Sequence, residues 1–479
     1  MVKQIGLIAG PLVLVGMLLA GPPGEVPVVA WRMAAIASFM AIWWGTEALP
    51  PFATALVPLI AFPFLGILSF AETAVPFSHP LIFLFLGGFL LALAVEKWDL
   101  HQRIALHVLL VMGVRAKALV FGFMLTTALL SMWMTNTATS LMMLPIAVSI
   151  LSVVFSQGGA KISDQEQHNF RILLPLSVAY GATIGGMATL IGTPPNAFLA
   201  AYMAEAHGIE IDFASWLMVG LPIAAILLPM AWWVLTRFVY PVSFSAGQQA
   251  AAHFDSSLKK LGKLSQPEMR VGIIFVAVAL GWAFRKPLIE ITGIDALTDS
   301  ALALSGALLL FILPSGQARG EKLADAAVLA KVPFGVLLLF GGGLALAKGI
   351  SVSGLAEVLG GLLAGAGAIN AIVLVLATTA MVIFLTELTS NLATTATFLP
   401  IVSAVGIDAG LSPLLLAVPV ALAASCAFML PIATPPNAIC FGSGLVSLQQ
   451  MAKAGFWLNI IGIVLLSLVS VFWVPVIFA

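Results

Sequence analysis

Apolar runs of about 20 residues, long enough to cross a bilayer, recur from one end of this chain to the other. They predict membrane spans at about 5–21, 27–46, 51–70, 80–97, 217–240, 271–289, 298–314, 333–350 and 455–478. Four further apolar segments are interrupted. Residues 113–156 are broken near the middle by Thr135-Asn136-Thr137-Ala138-Thr139, and residues 366–408 by Ser390-Asn391-Leu392-Ala393-Thr394. A turn at each break would return the chain to the side it came from, as a re-entrant hairpin. Residues 172–204 and 413–442 are broken by Ile191-Gly192-Thr193-Pro194-Pro195-Asn196-Ala197 and Ile432-Ala433-Thr434-Pro435-Pro436-Asn437-Ala438. Proline lacks an N–H and disfavours helix at the residue before it, so each pair predicts an unwound stretch. Free backbone groups at membrane depth must line a cavity or be buried in protein.

The repeat is ordered. Phe85-Leu86-Gly87-Gly88 matches Phe340-Gly341-Gly342-Gly343, and 49 residues separate Gly87 from Asn136 just as 49 separate Gly342 from Asn391. Asn136 to Asn196 spans 60 residues and Asn391 to Asn437 spans 46; the excess matches a polar insert, Ser156 to Asn169. Three matched pairs in order, with one explicable offset, indicate an internal duplication. With both hairpins non-crossing there are about eleven spans, and the two halves become inverted repeats. Sixteen Lys and Arg then fall on one side, including Lys3, and four on the other: Arg32, Arg285, Lys286 and Lys348. That asymmetry puts the N-terminus in the cytoplasm.

Composition agrees with the pattern. The 479 residues are 61% hydrophobic and 8% charged, far below the roughly 25% charged of soluble domains. The expected class is an all-α polytopic membrane protein without an appended soluble domain. Met1 to Leu19 reads as a retained first helix rather than a signal peptide. The formal net charge of zero argues against nucleic acid. Cys426 and Cys440 are too few for a disulfide framework, and the six His show no metal-ligand spacing. No nucleophile–base pair appears, so an enzyme is not expected.

Asn amides, Thr and Ser hydroxyls and freed carbonyls at a hairpin tip form a neutral oxygen cage suited to Na⁺. A helix starting just after each break points N–H groups and its positive dipole end into the same space, favouring an anion. The competing reading is that Asn, Thr and Pro only pack and kink helices; duplication of both motifs weakens it. Glu387, beside the second tip, reads either as a functional intramembrane carboxylate or as a brace for the tip. Gly341-Gly342-Gly343 reads as close helix packing, Trp43-Trp44 as interfacial, and residues 243–270 as a cytoplasmic linker.

At Trp133-Met134-Thr135-Asn136-Thr137-Ala138-Thr139, Gly185 to Asn196, Thr386-Glu387-Leu388-Thr389-Ser390-Asn391 and Ala433-Thr434-Pro435-Pro436-Asn437, the chain resembles the divalent anion–sodium symporter (DASS) family. These are dicarboxylate and citrate carriers. The likeness covers nearly the whole length. It implies an elevator-type homodimer in an inner (plasma) membrane, each protomer having scaffold and transport parts. The corresponding division is scaffold at 1–112 and 271–362, transport at 113–242 and 363–479, and linker at 243–270. One Na⁺ is implied near Ser131, Thr135, Asn136 and Gly192, and a second near Thr386, Thr389, Asn391 and Ala433. Substrate carboxylates are implied near Thr135, Asn136, Thr137, Thr193, Ser390, Asn391, Thr434 and Pro435. Leu392 stands where the family's signature carries a hydroxyl, which puts the substrate contact there in question. The implied activity is Na⁺-coupled secondary active transport of di- or tricarboxylates, C4-dicarboxylates such as succinate, malate or fumarate first, with citrate and sulfate behind. Na⁺-independent exchange is the alternative; a passive channel fits paired inverted motifs less well.

Overall fold

The structure, a computed structural model, describes residues 2–156, 162–245, 248–358 and 370–478. Lys161, the expected boundary at 362/363 and the first residues of segment 366–408 lie outside the described residues. Every regular element among those described is helical. The first half runs through α1 (Val2–Ala20), α2 (Val28–Thr46), α3 (Pro51–Thr54), α4 (Val57–Leu65), α5 (Pro80–Lys97) and α6 (Leu100–Met112). α7 (Ala116–Ser131) and α8 (Asn136–Ser156) are the arms of the first hairpin. The first broken helix comprises α9 (Asp164–Met187) and α10 (Pro194–His207), followed by α11 (Phe213–Val234) and α12 (Gln248–Leu261). The second half contains α13 (Gln266–Ala283), α14 (Asp299–Ile312) and α15 (Phe334–Val352), then hairpin arms α16 (Ala371–Thr386) and α17 (Asn391–Asp408). It ends with the broken helix α18 (Pro413–Ser425) and α19 (Pro435–Gly442), and with α20 (Leu448–Phe472).

Among the described residues eight helices are long and apolar enough to cross a membrane, or nine if a pair bent by 102° counts as one span. The chain is a multi-pass membrane protein. The expectation of eleven counted segments that the structure divides into shorter helices. Segment 51–70 splits between α3 and α4 and stops at Gly66, whose φ of 69° is the left-handed C-cap glycine tolerates. Segment 298–314 supplies only the 14 residues of α14, and both Thr-Pro-Pro segments are divided.

Helices also occur where none was expected, the two longest being α6 and α12. α6 fills the stretch after α5, and α12 occupies the supposed linker, packing on α6 and α8. His253 of α12 lies 3.0 Å from the Ser149 hydroxyl, and Phe254 is buried. An amphipathic helix of 14 residues has too few apolar positions to register as a span. Trp44 is also not merely interfacial: it is buried, and its indole N–H donates to the Pro51 carbonyl.

Close packing fixes the frame around the motifs. A Cβ on Gly181 or Gly185 would collide with the carbonyl oxygens of Met124 or Ala128, so these small residues let α9 lie directly on α7. Gly342 meets Ala55 and Gly87 meets Ala303 in the same way, which is the packing role expected of the glycine runs.

Candidate functional site

Each hairpin is turned by four non-helical residues, 132–135 and 387–390, and the second arm starts at an Asn. The two tips are built alike. The Ser131 hydroxyl donates to Asn136 Oδ1 at 2.6 Å, and the Thr386 hydroxyl donates to Asn391 Oδ1 at 2.9 Å. Both donors stand five residues before their Asn, because the last turn of one arm faces the first turn of the next.

Each tip leans on the broken helix of its own half. A Cβ built on Gly186 would lie 2.7 Å from Asn136 Oδ1 and 3.2 Å from the Gly192 carbonyl oxygen. Asn136 and the Gly192 carbonyl therefore both pack directly against Gly186, where no larger residue fits, and Ser131 joins them through Asn136 Oδ1. The Thr189 hydroxyl also donates to the Met132 carbonyl. In the second half the Thr386 hydroxyl additionally donates to the Ala424 carbonyl at 2.8 Å.

Both breaks are closed by the Asn that follows the prolines. Asn196 Nδ2 donates to the carbonyls of Gly186, Met187 and Thr189, at 3.1, 3.3 and 2.8 Å. Asn437 Nδ2 donates to Ala427 and Leu430, both at 3.0 Å. The offsets of ten and seven residues are the same in the two copies. Proline suits the first helical positions after each break, where a missing N–H costs nothing.

Glu387 supplies a brace with no counterpart in the first half, where Met132 occupies its place. Its buried carboxylate accepts from the backbone N–H groups of Phe428, Met429 and Leu430 at 2.8, 2.9 and 2.9 Å, and from Asn459 Nδ2 at 2.8 Å. Of the two readings left open for Glu387, this geometry fits the structural one, though it holds the broken helix to the tip rather than the tip alone. The Tyr180 hydroxyl of α9 donates to the Phe428 carbonyl at 2.9 Å, tying the first broken helix to the second break. Unwound backbone in an apolar setting needs such partners for its N–H and C=O groups.

The remaining expected residues are placed as follows. Thr193 and Thr434 are extended residues capping α10 and α19, each 3% exposed. Thr434 Oγ1 accepts the Asn437 N–H, and Pro435 opens α19. Thr135 Oγ1 accepts the Ala138 N–H; Thr137 and Ser390 are half-buried at the starts of the second arms. Ala433 is buried at the end of the second break. Two placements differ from expectation. The Thr389 hydroxyl is engaged by the Leu385 carbonyl and Thr394 Oγ1, at 3.0 and 2.6 Å, so it is turned back onto the hairpin arms. Leu392 is 5% exposed within the apolar core, whereas its counterpart Thr137 is half-buried. Among the described residues no hydrogen bond joins tip 132–137 to tip 387–392; near the tips the halves meet through α8 and α9 on α19 and through α10 on α17, and elsewhere through α5 on α14.

Tyr180, Gly186, Thr189 and Asn459 were not singled out from the sequence. Asn459, a lone amide inside the apolar α20, carried the clearest signal, since a polar side chain there needs a partner. Beside the first tip, Trp133 packs against Phe275 at 5.1 Å and Phe213 at 5.9 Å, and Phe213 stacks on Trp282 at 4.8 Å. Among the described residues no group of three His, Cys, Asp or Glu is placed to hold a metal. Candidate cation ligands are thus neutral oxygens.

Comparison with known proteins identifies the family. The chain is 39% identical over 475 residues to a sodium-dependent dicarboxylate transporter, SdcS, of Staphylococcus saprophyticus, covering 99% of this chain and 92% of that protein. It is 40% identical over 481 residues to the sodium-dependent dicarboxylate transporter SdcS of Staphylococcus aureus, with the same coverage. The fold is similar to the crystal structure of the Alcanivorax borkumensis YdaH transporter, with a TM-score of 0.57 at 14% identity over 92% of this chain and 98% of that one. Residues 2–479 match the family described as the sodium:sulfate symporter transmembrane region. This chain belongs to that family, the divalent anion–sodium symporters.

Proposed function

We propose that this protein is a secondary active transporter that couples inward movement of a C4-dicarboxylate, such as succinate, malate or fumarate, to Na⁺. The observation that carries the reading is the pair of repeat-related contacts, Ser131 with Asn136 and Thr386 with Asn391, each at the junction of a hairpin tip with unwound backbone. The names of the two SdcS relatives support both the ion and the substrate class.

In this reading, one Na⁺ is held by oxygens of Ser131, Thr135, Asn136 and Gly192. A second is held by oxygens of Thr386, Thr389, Asn391 and Ala433. Neutral oxygens replace part of the ion's hydration shell without cancelling its charge. The cation therefore remains available to a carboxylate, reinforced by the positive ends of α8, α10, α17 and α19. The anion then needs no Arg clamp: it is held by Thr135, Asn136, Thr137, Thr193, Ser390, Asn391, Thr434, Pro435 and the bound Na⁺.

The transport parts, 113–242 and 363–479, move as elevators against scaffold parts 1–112 and 271–362 of a homodimer in the plasma membrane, with the N-terminus cytoplasmic. The aromatic series Phe275, Trp133, Phe213, Trp282 lies across this proposed boundary and offers flat apolar contacts for sliding. Uptake of labelled succinate into proteoliposomes, with and without an inward Na⁺ gradient, tests the proposal. Uptake that needs preloaded succinate and ignores Na⁺ would instead establish exchange.

A further inference from the structure

A cavity of about 790 Å³ remote from the tips is surrounded by the first turns of α7, α9 and α20 and by the π-helical turn Leu235–Val239 that follows α11. Its lining includes Lys117, Arg237, Lys453 and His168, with Glu166 as the acidic member. None of Lys117, Arg237 and Lys453 has a carboxylate within ion-pair distance among the described residues. Glu166 accepts on one oxygen from the Ser243 N–H at 2.9 Å and hydroxyl at 2.6 Å, and on the other from the Ser163 hydroxyl at 3.1 Å, so it offsets one of the three positive charges and leaves the lining net positive. Three unpaired cations converging on one hollow form an anion site. Lys453 is further positioned 5.7 Å over the Tyr240 ring.

The level of the cavity in the bilayer selects the anion. Trp233 and Phe238 flank Arg237 and are 52% and 63% exposed, with their rings 4.8 Å apart. Exposed aromatics at a helix end lie at the headgroup level of a membrane, and basic pockets there suit phosphate headgroups. We propose that this cavity binds the phosphate of an anionic phospholipid, whose acyl chains run along Trp233 and Phe238. A soluble phosphate would meet the same cations but would leave Trp233 and Phe238, which lie outside the lining of the cavity, uncovered.

The test uses the purified full chain in neutral detergent, titrated with phosphatidylglycerol, phosphatidylcholine or inorganic phosphate and followed by thermal unfolding and native mass spectrometry. Phosphatidylglycerol is expected to bind and raise the unfolding temperature; the other two are not. The Lys117→Gln/Arg237→Gln/Lys453→Gln variant should bind phosphatidylglycerol about a hundredfold more weakly, since each cation near a headgroup contributes roughly a factor of five. Lys259→Gln/Lys260→Gln/Lys263→Gln, which removes equal charge from α12 and the turn after it, should bind as the wild type does. If the first triple variant does not purify, Arg237→Gln alone should weaken binding about fivefold. Equal effects of the two lipids, equal stabilisation by inorganic phosphate, or equal weakening in both triple variants would each overturn the assignment.

Discussion

The rings of Phe85 and Phe340 lie 5.0 Å apart, centroid to centroid, and the two residues occupy the same position in the two halves of the chain. Each precedes its glycine run, and each glycine run precedes its hairpin Asn by the same 49 residues. Residues equivalent under the repeat touch only where the halves meet about their relating axis. Both rings are buried, at 1% and 2% exposure. Replacing either by Ala should therefore cost about 3–5 kcal/mol of stability. The double variant should lose less than the sum, by about 0.5–1.5 kcal/mol for the ring pair. Unfolding of the four proteins in one detergent measures this; strict additivity would separate the two rings energetically.

Asn136→Ala and Asn391→Ala should each cut Na⁺-driven uptake at least tenfold while the protein purifies normally. Each amide oxygen is fixed by a hydroxyl at its tip, and a hydrogen-bonded oxygen facing an ion contributes about 1.5–3 kcal/mol. Uptake rates paired with gel filtration decide it. Two well-folded variants that transport at the wild-type rate would remove these residues from the site.

Gly186→Ala tests the first cluster without touching a proposed ligand side chain. The added methyl would enter the space between Asn136 Oδ1 and the Gly192 carbonyl, so the Na⁺ concentration for half-maximal uptake should rise several-fold. A stability loss of about 1–3 kcal/mol from overpacking is expected beside it. An unchanged Na⁺ dependence would mean that no ion is held there.

Glu387→Gln keeps the shape of the brace but loses its charge and turns one acceptor into a donor facing backbone N–H groups. A buried donor left without a partner costs about 1–3 kcal/mol, so the melting temperature should fall. Limited proteolysis should then cut first within 426–434. A variant as stable as the wild type would show that Asn437 and Tyr180 suffice to hold the break.

The burial of Leu392 alters what its replacement should do. Leu392→Thr would place a hydroxyl where Thr137 carries one in the first half. In the core it removes apolar volume and buries a hydroxyl, which should cost about 1–3 kcal/mol and leave the inhibition order of succinate, citrate and sulfate unchanged. A changed order at unchanged stability would return residue 392 to the substrate shell.

Inverted topology is testable with single cysteines at exposed helix ends. Asp164 and Asp408 are exposed, so Asp164→Cys and Asp408→Cys are suitable probes. The native thiols, Cys426 and Cys440, are both buried and give little background. Impermeant reagents should reach Asp408→Cys from outside and Asp164→Cys only from the cytoplasm.

The sequence by itself determined the class, the duplication and the four interruptions. Hydropathy, proline chemistry and fixed spacings are local properties that need no partner to be read. It also marked Asn136, Asn391 and the Thr-Pro-Pro-Asn runs, because polar groups inside apolar segments stand out against their background. The tertiary structure alone decided what completes them. Glu387 could be placed beside a tip from its position, but its grip on Phe428, Met429 and Leu430 joins residues some 40 apart in the chain. Tyr180 reaches Phe428 across 248 residues. Gly186 looked like one more small residue until the fold set Asn136 against it. Leu392 and Thr137 hold matching places in the repeat, yet one is sealed in the core and the other half-open. Sequence period assigns a residue to an element; only the packing of other elements on it decides which atoms face a ligand and which are enclosed.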